Sequence, residues 1–75
     1  MGAEKRVVGV KQSRKAIREG RARRVYLAGD ADPAITEPVR AECAAAGIPV
    51  EREQTMAQLG RACGIAVGAS VAAEL

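Results

Sequence analysis

Gly9-Val10-Lys11-Gln12-Ser13-Arg14-Lys15-Ala16-Ile17-Arg18-Glu19-Gly20 is the stretch around which the rest of the chain is organised. Wound at about 100° per residue, it carries Lys11, Arg14, Lys15 and Arg18 on one arc and Val10, Ser13, Ala16 and Ile17 on the opposite one. One face is cationic and the other can pack. No acid is interleaved on the cationic arc, so its like-charge neighbours at i,i+3 and i,i+4 each cost roughly 0.2 to 0.5 kcal/mol. Lys11 also lies near the helix start, where the macrodipole disfavours positive charge. A helix that breaks local rules in this way is expected to find its compensation in a polyanionic ligand. The plainer alternative is a solvated amphipathic helix.

Outward from this helix the pattern alternates. Arg6-Val7-Val8 reads as a brief strand, and Gly9 as a strand-to-helix turn residue that lets a ligand approach the backbone. Gly20 is a natural stop, and Val25-Tyr26-Leu27-Ala28 is an apolar run expected to form a buried central strand. After the turn Gly29-Asp30-Ala31-Asp32-Pro33, the sequence predicts a single turn at 33–35 and then a helix capped by Thr36, with Pro38 in its first turn. Ile35, Val39, Cys43 and Ala46 are its expected core stripe and Gly47 its end. Residues 48–53 form a short strand in which Pro49 marks a beginning or a sheet edge. Thr55 and Gln58 make a capping box for a third helix, with Met56, Leu59 and Cys63 on one face and Gly64 closing it. An apolar, Gly-flanked loop at 65–69 leads into a last strand at 70–75. The expected architecture is a single domain, residues 1–75, with β-α-β-α-β-α-β order: a three-layer α/β/α sandwich on a small four-stranded mixed sheet. Met1 to Lys5 are expected to be loose.

Length and composition narrow the function. A 75-residue domain buries about 60% of its unfolded surface and has a stability of about 4 to 11 kcal/mol, so the core is thin. Tyr26 is the only aromatic residue, which nearly excludes base stacking on aromatic platforms. The net charge of +3 conceals a segregation: residues 1–24 hold nine basic and two acidic side chains, the remainder three and seven. Such a field points to a phosphate backbone or an acidic protein surface.

The chain contains no His, which removes Ser-His and Cys-His nucleophile activation and the commonest metal ligand. Cys43 and Cys63 are separated by nineteen residues without metal or redox spacing, and are expected to be free packing thiols in a reducing cytosol. Asp30 and Asp32 have the chemistry to hold Mg²⁺, but Pro33 directly after them favours turn and cap duty. Neither a Walker A nor a GxGxxG pattern occurs, so an enzyme reading has little support, and no catalytic residue, metal or cofactor is expected. No apolar run reaches membrane-spanning length, and Arg6 spoils a myristoylation signal at Met1-Gly2. A soluble, cytoplasmic monomer is expected. Gly60, Gly64 and Gly68 recur at every fourth position without the apolar span that a membrane-helix dimer needs. Ile65 and Val67 between glycines are either core plugs or an apolar surface for exposed bases.

Four segments together resemble the ribosomal L-seven-Ae / L-thirty-e family, and most closely its small bacterial branch of kink-turn binders. They are Gly9 to Ile17, Ala28 to Pro33, Gly47-Ile48-Pro49 and Leu59 to Gly68; the resemblance spans Arg6 to Leu75 in order and spacing. It implies an α/β/α domain that binds kink-turns, RNA elements built on tandem sheared G·A pairs. The start of the first helix would enter the major groove there, and the apolar loop would cover looped-out nucleotides. By position, Gly9, Lys11, Gln12 and Lys15 match the RNA-binding motif, flanked on the same arc by Arg14 and Arg18, and Ile65, Ala66 and Val67 match the covering loop. Lys11-Gln12 stands where archaeal members have Asn-Glu, Gly68 stands where they have Pro, and the leading helix of longer relatives has no counterpart, exposing part of a sheet face or edge. The implied partner is a structured RNA, ribosomal RNA among the candidates. The alternative is a protein-interaction domain of the same fold that sets its basic helix on an acidic partner.

Overall fold

The computed structural model describes residues 6–75, and the expectation for Met1 to Lys5 lies outside the described residues. Seven elements follow one another: β1 (Arg6–Val8), α1 (Val10–Arg18), β2 (Arg24–Leu27), α2 (Pro33–Ala46), β3 (Val50–Glu51), α3 (Met56–Ala62) and β4 (Val71–Glu74). The sheet order is β1-β4-β2-β3, with β4 antiparallel to both of its neighbours and β3 parallel to β2. The sheet is therefore mixed, as the sequence predicts. Pro49 precedes the two-residue edge strand β3, where its missing N–H breaks no ladder and its carbonyl accepts from the Val25 amide at 3.0 Å.

Strand alternation sends side chains to two separate cores. Val25, Leu27, Val71 and Ala73 pack on one face with Ala16 and Ile17 of α1 and Val39 and Cys43 of α2. Ala72 points to the other face and joins Ala28, Ala31, Leu59 and Ala69, with Val8, Tyr26, Met56, Cys63 and Ile65 around them. Two helices thus cover one face and α3 the other, which makes the three layers. Beyond α3 the second face ends in polar contacts: the Tyr26 hydroxyl donates to Glu74 Oε1 at 2.7 Å, and Arg6 lies 5.0 Å above the Tyr26 ring.

The second helix departs from expectation. It is one helix from Pro33, capped by Asp32, whose side chain accepts from the Ala34 amide at 2.9 Å. Thr36 is buried inside it and is no cap. Pro38 is tolerated because the carbonyl it leaves without a donor belongs to Ala34, and both residues are exposed, so water can replace the bond. The core stripe shifts with this continuity. Thr36, Val39 and Cys43 face inward, while Ile35 and Ala46 are exposed.

Both aspartates of the Gly29–Pro33 turn act as caps. Asp32 serves α2, and Asp30 Oδ1 accepts from the Met56 amide at the start of α3 at 2.7 Å. The Thr55–Gln58 capping box forms in both directions, at 3.1 and 2.9 Å. Among the described residues no cluster of potential ligands could hold a metal. Cys43 is fully buried, and burial pushes its thiol above its usual pKa, whereas Cys63 is half-buried. Thiol-reagent kinetics should therefore show two phases, with Cys43 slower by about a hundredfold or more because it must await an opening of the core. A single phase of two equivalents would contradict this packing.

Candidate nucleic-acid interface

Since β1, β2 and β3 run in one direction, their carboxyl ends share an edge of the sheet with the amino ends of all three helices. This is the end at which open α/β sheets place ligands. The three helix starts differ chemically. Asp32 closes α2, and Thr55, Gln58 and Asp30 close α3. By contrast, α1 begins at Gly9 with no side-chain cap. Gly9 has φ 104° and ψ 156°, a region essentially restricted to glycine. Its amide donates to the Val71 carbonyl at 2.8 Å, and its carbonyl accepts from Ser13 at 3.0 Å. The amides of Val10, Lys11 and Gln12 precede that first intrahelical bond, so the positive end of the helix faces outward.

Small buried residues seat α1 on the domain: Ser13 and Ala16 are both at 0% exposure, and the Ser13 hydroxyl has no hydrogen-bond partner among the described residues. Lys11, Gln12 and Lys15 then point to solvent. The two arginines of the cationic arc are placed differently. Arg14 grips Glu42 of α2 with two hydrogen bonds, at 3.2 and 3.0 Å, and Arg18 reaches the same carboxylate at 3.1 Å. Hydrogen bonding from Arg14 foremost holds the Glu42 carboxyl below its ordinary pKa, and the same bond raises that of Arg14. The acid absent from the arc in sequence is thus supplied in space by α2. The expected lack of compensation holds for Lys11 and Lys15, which have no ion-pair partner among the described residues, and not for Arg14 and Arg18.

The loop after α3 divides its roles. Cys63 ends the helix, Gly64 takes φ 77°, and the Ile65 amide returns to the Gly60 carbonyl at 3.0 Å, a Schellman closure. Ile65 then packs into the second core, Ala66 is exposed, and Val67 is 72% exposed. Ile65 is therefore a core plug, while Val67 is an exposed apolar side chain. The loop doubles back along α3, since Gly60 lies against the Val67 carbonyl, and the Ala69 amide donates to Met56 at 3.0 Å. It delivers Ser70 and Val71 beside Ala28 and Gly9, so loop and helix start are tied to the same strand.

Two residues of this surface escape a linear reading. Glu42 neighbours the core residue Cys43 on α2, which aims it along the border with α1; acid beside a core position opposite a basic helix is the signal. Gly60 is a buried glycine inside a helix, where its low helix propensity implies a close approach.

These features define a small α/β/α domain in which Lys11, at the start of α1 behind a glycine with no side-chain cap, and Lys15, one turn further on, are exposed beside an apolar loop. The chain belongs to the ribosomal protein L7Ae/L30e/S12e/Gadd45 family, whose profile matches residues 1–75. It is similar to the RNA-binding protein YbxF of Geobacillus stearothermophilus, at 45% identity over 73 residues, covering 97% of this chain and 89% of that protein. An RNA-binding protein of Caldanaerobacter subterraneus is 42% identical over 71 residues, covering 95% of this chain and 87% of its own. Among solved structures, the Giardia lamblia 15.5kD RNA binding protein superposes with a TM-score of 0.85 at 31% identity, over 92% of this chain and 58% of that one. No helix among the described residues is long and apolar enough to cross a membrane.

Proposed function

We propose that this protein binds RNA and recognises the kink-turn, stabilising its bent state without chemistry. The observation that carries the reading is the start of α1: an uncapped helix behind Gly9, presenting Lys11, Gln12 and Lys15 to solvent, tied through Val71 to the loop that exposes Val67. The relatives described as RNA-binding proteins support the same partner.

The physics suits a kinked RNA. An A-form major groove is too deep and narrow for side chains, so a helix start enters it only where the RNA is distorted. There Lys11 and Lys15 suit guanine acceptors or phosphates, and Gln12 offers both donor and acceptor. Gly9 permits close backbone approach, and Ala66 and Val67 supply an apolar cover for unstacked bases. Charge alone gives an attraction common to all RNAs. Discrimination arises because the fitted groove exists only in the bent state, and a ligand shifts a population by its differential affinity.

A doubly end-labelled kink-turn without Mg²⁺ should move to high energy transfer on adding protein, while the same RNA with its G·A pairs made Watson–Crick stays extended. Equal binding to both RNAs would leave only a basic module, and binding to neither would favour an acidic protein partner. Lys15→Ala should lower affinity for the kink-turn by about 1 to 3 kcal/mol with an unchanged melting temperature. Unaltered affinity in the folded variant would remove Lys15 from the site. Co-sedimentation with ribosomal subunits at rising salt would test ribosomal RNA as the cellular partner.

A further inference from the structure

The arc of α1 carries four cations, yet the structure treats them as two pairs. Lys11 and Lys15 have no ion-pair partner among the described residues, whereas Arg14 and Arg18 converge on one carboxylate of α2 at 3.0 and 3.1 Å. Glu42 is the better shielded member of this cluster, its side chain 25% exposed against 35% for Arg14 and 63% for Arg18. Two hydrogen bonds from Arg14, one to each oxygen of the Glu42 carboxylate, make a bidentate pair on donors that an RNA phosphate would otherwise engage.

We propose that Glu42 is a specificity-determining residue, which engages both Arg14 and Arg18, cancels one of their two charges and so lowers the RNA-facing charge that α1 presents beside Lys11 and Lys15. This rests on the RNA-binding reading given above. Its reason lies in how nonspecific binding works. Each phosphate contact adds about 0.9 to the log-log salt slope on a duplex, roughly eightfold in affinity per tenfold fall in salt, whatever the sequence or shape. In a specific complex the helix start and the loop fix how α1 lies, so further cations gain only if phosphates happen to face them. A loosely held duplex has no such constraint. It can turn until every cation on the arc meets a phosphate, so uncancelled arginines would favour the wrong RNAs most. Glu42 supplies a competing anion held in place by the fold.

The test compares wild type, Glu42→Gln, Arg14→Gln/Arg18→Gln and the triple variant, each verified as folded by circular dichroism. Salt-dependent binding is measured to a perfect RNA duplex and to a kink-turn, and elution from heparin provides a polyanion of no defined shape. Glu42→Gln should steepen the duplex slope by about 0.9, elute later from heparin, and narrow the preference for the kink-turn. The gain should vanish when both arginines are absent. An unchanged slope in Glu42→Gln, or an equal gain in the triple variant, overturns the proposal. Should Glu42→Gln fail to fold, Glu42→Ala takes its place with the same expectations: a steeper duplex slope supports the masking and an unchanged one overturns it. The kink-turn reading is judged separately by the wild-type preference, and the heparin and duplex arms decide the masking even if that preference is absent.

Discussion

Val25→Asp is expected to abolish the native state, while Val67→Asp leaves a folded domain with weakened RNA binding. Val25 has 0% exposure and sits in β2 between β4 and β3, packed against both covering helices. A carboxylate there would be buried without a partner, at a penalty of several kcal/mol whether it stays charged or takes up a proton. Loss of the valine's own burial adds about 1.5 to 3 kcal/mol. Together these approach the whole stability of about 4 to 11 kcal/mol expected at this size. Val67 is 72% exposed, so a carboxylate in its place stays in water and alters the fold little. Its effect falls on the RNA, by replacing an apolar contact with a charge that repels phosphate. Thermal melts by circular dichroism and a kink-turn titration separate the two outcomes. A Val67→Asp protein that fails to fold would make the loop a core element and withdraw it from the interface.

Gly60→Val should destabilise the domain by about 3 kcal/mol and weaken kink-turn binding together. The first carbon of any side chain at this position meets the Val67 carbonyl oxygen, and it also comes within 3.1 Å of the Gly68 Cα. Both obstacles are backbone, so the loop itself must move. Displacing residues 67 and 68 strains the Schellman closure of α3 at one end and the Ala69 to Met56 hydrogen bond at the other. On helix propensity alone, exchanging an interior glycine for valine would be mildly favourable. The sign of the stability change therefore distinguishes close packing from propensity: a Gly60→Val protein with a raised melting temperature would show that the loop does not rest on α3.

The elements legible in sequence were those governed by local rules. Gly9 and Gly64 announced turns, Thr55 and Gln58 announced a capping box, and the apolar run from Val25 to Ala28 announced a buried strand. The misread elements depend on tertiary context. Pro38 forecasts a break, but its consequence turns on whether the Ala34 carbonyl sees solvent. Ile35 matched a helical stripe that the earlier start of α2 rotated out of the core. At the interface, the cations of α1 were plain in the sequence, while their division into paired and unpaired sets was not. That division is made by Glu42, twenty-four residues beyond Arg18, and only the packing of α2 on α1 reveals it.

The register of the outer strands has a practical consequence. Arg6 stands opposite Glu74, at the far end of β1 and β4 from the Gly9 turn and its bond to Val71. By this geometry, a dye or surface tether attached at Leu75 would hold the molecule by its back, leaving the helix start turned toward the solution.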